Sequence, residues 1–580
     1  MVRCHAYMCL MDRVRRFQAC AGVRQRGNVL YRAGAAGLGS RRWKWAGRVN
    51  ETDFIVVGGG SAGCALAARL SEDAAASVTL LEAGGRDGQL IVSMPLAWMQ
   101  VAANPAYGWG DMSEPDPHLD NRAQPLPRGK LLGGCSSING TMYIRGAAAD
   151  YDAWRDAGLT GWGYQDVLPY FKRAETNWRG AGPEHGGSGP LHVTPMQRHK
   201  ELFPAFIAAA NALGMPACDD FNVAQPDGFG IPDCTIRQGR RHSTAQAYLR
   251  PAMKRANLRV ETGAQVRRVL FEGRRAIGVE YEQAGQVRQL RARREVVLCG
   301  GAFNSPQLLM LSGIGPAEHL RDMGIDPLLD LPGVGGNLQD HPIGLTFWKA
   351  ARPNTFDNEL RLDRLATGVL RWLATGKGTP AQSPLTIQGF MRSRPDMDRP
   401  DVQFQVSHVS YEAKPWFPGW RKGAGHQISS GAILLNPASR GHVRLRSADP
   451  RDRARIQLNF LSEESDRITM REMIRFQRRF FATQPASQFV AGELAPGPLA
   501  DSDDAVDGWL RATVMSAAHP VGTCAMGTGP QAVLDASLKV RGVDGLRVAD
   551  ASVMPDVIRG NTNAPAIMIA EKAADLIRQA

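Results

Sequence analysis

Gly58, Gly60 and Gly63 follow an apolar run at 54–57 with G-x-G-x-x-G spacing, and Glu82 ends a second apolar run at 78–81. That combination binds a dinucleotide. Gly58 permits a tight turn, Gly60 lets the main chain approach a pyrophosphate with no Cβ between them, and Gly63 lets the next helix lie close on the strand. A helix over 61–70 then turns its free N–H groups and positive dipole end toward the phosphates. Glu82, 22 residues beyond Gly60, stands where a carboxylate accepts hydrogen bonds from two ribose hydroxyls and disfavours a 2′-phosphate. The motif by itself does not separate FAD from NAD.

Strand, turn, helix and second strand form one parallel-sheet unit, and four further segments are spread along the chain. They are RGKLLGGCSSINGTMYIRG (128–146), EVVLCGGAFNSPQLLMLSGIG (295–315), HPVGTCAMG (519–527) and GLRVADASVMPDVIRGNTNAPAIMIAEKAADLI (545–577). The second predicts a strand, a Gly-Gly turn and a helix with Ser305 and Pro306 at its cap and first turn. The fourth predicts a strand over 546–549 ending at Asp550, then an amphipathic helix. Alternation at 401–409 and 442–448 predicts half-buried strands, and Val260 with 266–271 and 276–281 predicts a hairpin.

The chain's 580 residues exceed one hydrophobic core, so two or more domains are expected. No apolar run approaches the roughly 18 residues of a membrane span. The net charge of +13 invites a nucleic-acid reading, but ten Arg and one Lys against the single Asp12 lie in the first 50 residues. The other 530 carry only +3, and no nucleic-acid partner is implied. The basic leader, 1–50, has three readings: an Arg-rich, acid-poor transit peptide, a disordered tail, or upstream sequence translated from an early start codon. The last is favoured, because Val49 suits a GTG start. The nine cysteines have neither C-x-x-C nor metal-ligand spacing. They read as free thiols in a reducing compartment, with no metal site.

With all five segments present in order, the chain resembles the glucose-methanol-choline oxidoreductases across about 52–578, including GVGGNLQDHP (333–342) and ATGKGTPAQS (374–383). Cys135 departs from the Gly, Ser or Thr usual there, and the leader has no counterpart. The resemblance implies an α/β fold in which a Rossmann-like FAD-binding domain (51–150, 225–345 and 515–580) is interleaved with an antiparallel-sheet substrate domain (151–224 and 346–514). FAD would lie with its adenine half over Gly58, Gly60, Ser61, Ala62, Gly63 and Glu82. Its flavin would lie toward Gly133, Asn139, Gly140, Thr141 and Met142. Val266 is implied as a main-chain contact to adenine, and Asp550 and Ala551 as contacts near the pyrophosphate. Asp550 also reads as a helix N-cap. Some relatives tether the flavin through a histidine where this chain has Ile138, so non-covalent FAD is expected.

Alcohol oxidation removes a proton from oxygen and a hydride from carbon, and flavin N5 takes the hydride. Histidine is the side chain suited to accept the proton near neutral pH. Among 12 histidines, His519 matches the family's base, while His341 reads as a buried structural residue. Asn563 matches the second active-site position, an amide able to donate to the substrate oxygen, and also reads as a turn residue. Trp416 and Trp420 read as loop packing. The implied activity is oxidation of primary alcohols with electrons passed to a quinone or another acceptor; an O₂-using oxidase and a flavin-containing lyase are the alternatives. Neither an aromatic cage nor a carboxylate for choline can be assigned. The location is read as cytoplasmic, peripheral on the inner membrane, or an organelle if the leader is a targeting signal.

Overall fold

The computed structural model describes residues 50–397 and 399–580. The readings of the basic leader, apart from its last residue, lie outside the described residues. The first sheet holds β1 (Glu51–Val57), β2 (Val78–Glu82), β3 (Leu258–Thr262), β4 (Ala264–Glu272), β5 (Arg275–Gln283) and β6 (Gln286–Leu298), in the order β3-β2-β1-β6-β5-β4. Phe54, Val56, Leu80 and Val297 are buried, as expected of parallel strands covered on both faces. The hairpin is β4 and β5. Val260 lies outside it, in β3, and pairs in parallel with Leu80 of β2. Helix α1 (Ser61–Leu70) is rich in alanine and cysteine, and its small side chains let it lie against the sheet.

Helix α2 runs from Gly301 to Leu311, so Ser305 and Pro306 fall inside it rather than at its start. Two contacts explain how. Proline at 306 cannot donate to the carbonyl of Ala302, and the Thr523 hydroxyl donates to that oxygen instead at 2.6 Å. Ser305 Oγ accepts from Gly300 N at 3.0 Å and donates to Asp550 at 2.6 Å. A local signal of a helix start is thus overridden by long-range hydrogen bonds.

The second sheet is antiparallel and is built on β7 (Pro342–Ala350), β8 (Leu385–Met391), β9 (Val402–Ser407), β10 (Gln427–Leu434) and β11 (Val490–Ala495), in the order β11-β7-β10-β9-β8. The segment 228–230 pairs onto the edge strand β8, and 515–516 pairs onto the start of β7. Helix α3 (Leu362–Thr375) lies between β7 and β8 in the chain. Helix α4 (Glu464–Ala482) packs on this sheet with Phe476 and Phe480 against Phe404 of β9.

The chain then returns to the first sheet. β12 (Leu546–Val548) pairs in parallel with β6, and α5 (Asn563–Arg578) packs beside α1. The fully buried Glu571 of α5 fixes that packing: it accepts from Arg69 of α1 at 2.9 Å, from Arg173 at 2.7 Å and from Tyr248 Oη at 2.7 Å. In register, Val57 pairs with Leu81 and Leu298, and Leu298 pairs with Val548. The carboxyl ends of four parallel strands therefore converge, where ligands of open α/β sheets bind.

The glycines at this edge separate fold from function. A Cβ on Gly63 would lie 1.9 Å from Gly58 O, whereas one on Gly60 meets nothing nearer than 3.9 Å. Gly63→Ala is expected to cost about 1–3 kcal/mol and lower the melting temperature, while Gly60→Ala leaves it unchanged. Calorimetry of both variants without added ligand checks this.

Candidate active site

At the carboxyl end of β1, Gly58 takes φ 103 and the chain turns into α1, while Gly133 N donates to Gly59 O at 2.7 Å. Gly134, at φ 49, would place a Cβ 2.7 Å from Gly60 Cα. Two main chains thus touch, and beside them Gly60 borders open space. Glu82 follows at the end of β2. It is buried, and its two carboxylate oxygens accept from Gly59 N and Gly84 N at 2.7 Å each. Burial pushes its pKa up to about 7, against the pull of those two donors.

Asp550 sits beyond β12. One oxygen accepts from Gly301 N at 2.8 Å and from the Ser305 hydroxyl, and the other accepts from Ser552 N at 2.8 Å. Its carboxylate caps the turn Ala551–Val553 and ties β12 to α2. Ala551 is the first residue of that turn. Ser61 and Ala62 open α1, and Val266 lies partly buried in β4, paired with Tyr281.

Asn139 Oδ1 accepts from Thr141 N at 3.0 Å and from Arg241 Nη1 at 2.8 Å. Gly140 and Met142 continue this loop, with Met142 partly exposed. Arg241 carries no sequence signal of function. It is buried, it donates also to the carbonyls of Val92 and Ser136, and its Nη2 has no partner among the described residues. Burial without a carboxylate pushes its pKa down to about 9. Such a cation is costly unless an anion meets it. Uncovered main chain at Gly60, a helix N-terminus and an unmatched guanidinium all fit a dinucleotide cofactor.

His519 lies at the seam between the two sheets, buried at 8% exposure. Asp340 organises it: one oxygen accepts from both His341 N and His519 N at 2.8 Å, and the other accepts from Ser516 Oγ at 2.5 Å. Ala518 beforehand is held at φ 66, where non-glycine residues are uncommon, with Arg128 donating to its carbonyl at 2.8 Å. His519 Nδ1 lies 3.1 Å from His341 Nδ1, and Nε2 lies 2.9 Å from Asn561 Nδ2. Because Asn561 donates, His519 Nε2 carries the lone pair and Nδ1 the proton, which it gives to His341. Burial holds the pKa of His519 well below the ordinary imidazole value, helped by the second imidazole, His341, against which a proton would be repelled, and by the Arg128 cation. Its neutral form is therefore a base across the physiological range.

Asn563 opens α5: its Oδ1 accepts from Ser61 Oγ at 2.8 Å, and no partner for its Nδ2 is found among the described residues. The structure brings Asn561, not Asn563, into hydrogen-bond contact with His519. Asn561 Oδ1 in turn accepts from Gln403 Nε2 at 3.3 Å; Gln403 and Gln405 both donate to Gln388, and Gln405 reaches the Met142 sulfur at 3.6 Å. The wall that β8 and β9 present here is of amides, with no carboxylate among their hydrogen-bond partners. Sequence reasoning missed Asn561, Asp340, Arg241 and the three glutamines. Asn561 and Asp340 lay inside motif segments already singled out, and Gln403 and Gln405 lay in 401–409, read only as a half-buried strand.

The residues 52–343 match the N-terminal model of the GMC oxidoreductases, and 437–570 match the C-terminal one. The chain is 42% identical over 529 residues to the oxygen-dependent choline dehydrogenase of Brucella canis, covering 91% of this chain and 95% of that one. It is 44% identical over 541 residues to the mitochondrial choline dehydrogenase of Mus musculus, covering 91% and 90%. Among solved structures, pyridoxine 4-oxidase from Mesorbium loti superposes with a TM-score of 0.82 at 32% identity, covering 91% of this chain and 99% of that one. An Aspergillus oryzae formate oxidase variant superposes at 0.85 and 28%, covering 92% and 99%. These matches agree with the dinucleotide cradle and the buried histidine at the strand ends: the chain belongs to the GMC oxidoreductases and is an FAD-dependent flavoenzyme.

Proposed function

We propose that this chain is a dehydrogenase of primary alcohols that passes electrons to a quinone or similar acceptor, with choline the first substrate to test given the relatives' names. The observation that carries the reading is His519, neutral, buried and oriented by Asp340, His341 and Asn561. Bound FAD supplies the hydride acceptor. His519 Nε2 takes the hydroxyl proton, for which the alcohol competes with Asn561. An amide donor then stabilises charge developing on oxygen; Asn563 is assigned this role because its Oδ1 is engaged by Ser61 and its Nδ2 remains for a ligand. Asn561 and the glutamines offer hydrogen bonds to the rest of the substrate. The segments 51–150, 225–345 and 515–580 form the cofactor-binding part in this reading, and 151–224 with 346–514 the substrate part. Gly58, Gly60, Ser61, Ala62, Gly63, Gly133, Asn139, Gly140, Thr141, Met142, Val266, Asp550 and Ala551 frame the cofactor, Glu82 holds its ribose, and Arg241 meets its anionic groups.

His519→Ala should keep its flavin spectrum and lose flavin reduction by about 10² to 10⁴, or roughly 3–5 kcal/mol. Anaerobic stopped flow over an alcohol panel including choline reads this directly, and reduction at the wild-type rate would refute the assignment. In the wild type, the acid limb of that rate should fall below pH 6.5, since the base stays neutral there.

Arg241→Met should weaken FAD about 10- to 100-fold, the loss of a charge-assisted hydrogen bond of about 1.5–3 kcal/mol. The apo-protein should lose no stability, because an uncompensated buried charge is removed. Titration with FAD and melting of the apo-protein separate the two effects. Ile138 has no group to bond the flavin, so acid precipitation should leave all flavin in the supernatant.

A further inference from the structure

Helix α3 is amphipathic, and part of its apolar face is uncovered. Trp372 is fully buried, with its Nε1 donating to Gly239 O at 2.7 Å, which anchors one side of the helix. Leu362, Leu370 and Leu373 are 38%, 68% and 47% exposed. With the exposed Ala366 they recur at helical spacing along one stripe. A soluble helix places polar residues there.

A second segment lies against the start of α3. Leu362 N donates to Trp416 O at 2.9 Å and Trp416 N donates to Leu360 O at 3.1 Å. The same loop exposes Tyr411, Phe417 and Trp420, the last at 59%. Six large exposed apolar side chains thus belong to two adjoining segments, an arrangement that marks an interaction surface.

Charge identifies what meets it. The stretch 361–378 holds Arg361, Arg364, Arg371 and Lys377 against Asp363, and 411–422 holds Lys414, Arg421 and Lys422 against Glu412. Arg364, Arg371, Lys377, Lys414 and Lys422 are exposed and make no salt bridge among the described residues. These two stretches are distinctly basic, although the 530 residues after the leader carry only +3. A second copy docking face to face would set like charges against each other. An anionic lipid surface complements both parts, with leucines and aromatic rings entering the headgroup boundary and the basic side chains reaching lipid phosphates.

We propose that α3 and the 411–422 loop form a docking surface for anionic membranes, with α3 lying in the plane of the lipid headgroups. Among the described residues no helix is long and apolar enough to cross a membrane, so the attachment is peripheral. The proposal does not depend on which alcohol or acceptor the enzyme uses.

The test is co-sedimentation of the full-length holoenzyme with vesicles of phosphatidylglycerol and phosphatidylcholine, or of phosphatidylcholine alone. Binding is expected to the anionic vesicles and to weaken with salt. Leu370→Glu with Leu373→Glu, and separately Arg364→Glu with Arg371→Glu, should each reduce it about ten-fold or more. Both should keep wild-type flavin content and alcohol-driven reduction of a soluble dye. Because wild type and variants share the same basic leader, a drop reports on this surface alone. Brominated lipid should also quench the wild type more than Trp420→Phe. Unchanged vesicle binding in both double variants would overturn the proposal. So would a wild-type dimer that Leu370→Glu converts to monomer, which would make this face a contact between copies.

Discussion

Main-chain contact at the edge of the first sheet is the constraint on which the rest depends. The turn after β1, the 133–134 loop and the Cys299 carbonyl approach so closely that a Cβ at Gly58, Gly63 or Gly134 would strike backbone. No side chain can mediate contacts of that kind, so peptide geometry positions the loops, with the Glu82 carboxylate fastening Gly59 N and Gly84 N. Precision follows from this, because rigid peptide units leave little room for adjustment. Gly60 is the exception: a Cβ there would meet nothing nearer than 3.9 Å.

Charge is handled differently on the two sides of the site. On the cofactor side, Arg241 is buried with no carboxylate, and the mismatch fits an anionic ligand. On the substrate side the groups are neutral: two imidazoles kept uncharged by burial, Asn561 and three glutamines. Asp340, whose pKa burial pushes up to about 6, lies behind the histidines and spends its oxygens on two backbone N–H groups and a hydroxyl. It acts as a clamp on the loop rather than as a second base. The base is thereby aimed without being charged.

What was legible in the sequence was local. Gly58, Gly60, Gly63 and Glu82 could be read because strand, turn, helix and acid follow one another within about thirty residues. Of the two roles expected of Asp550, the cap is visible in the bond from Ser552 N. Ser305 and Pro306 misled because the contacts that admit a proline into α2 come from Thr523 and Asp550, more than 200 residues away. Asn561 was not singled out beside Asn563, two residues on, since spacing cannot tell which of two nearby amides meets His519. Arg241 was invisible, being one arginine in a chain full of them; only its burial without an anion distinguishes it.

Glu571 has a consequence for how the molecule is made. Its carboxylate holds Arg69 on α1, near the start of the sheet, yet it is synthesised 502 residues later. Asn561 and Asn563 emerge just before it. Until then the glycine turn exists without the helix that packs beside it, and His519 exists without Asn561. Assembly of the site cannot be gradual along the chain: it waits for residues 561–571, and a stop between β12 and Asn561 removes the brace and the amides together.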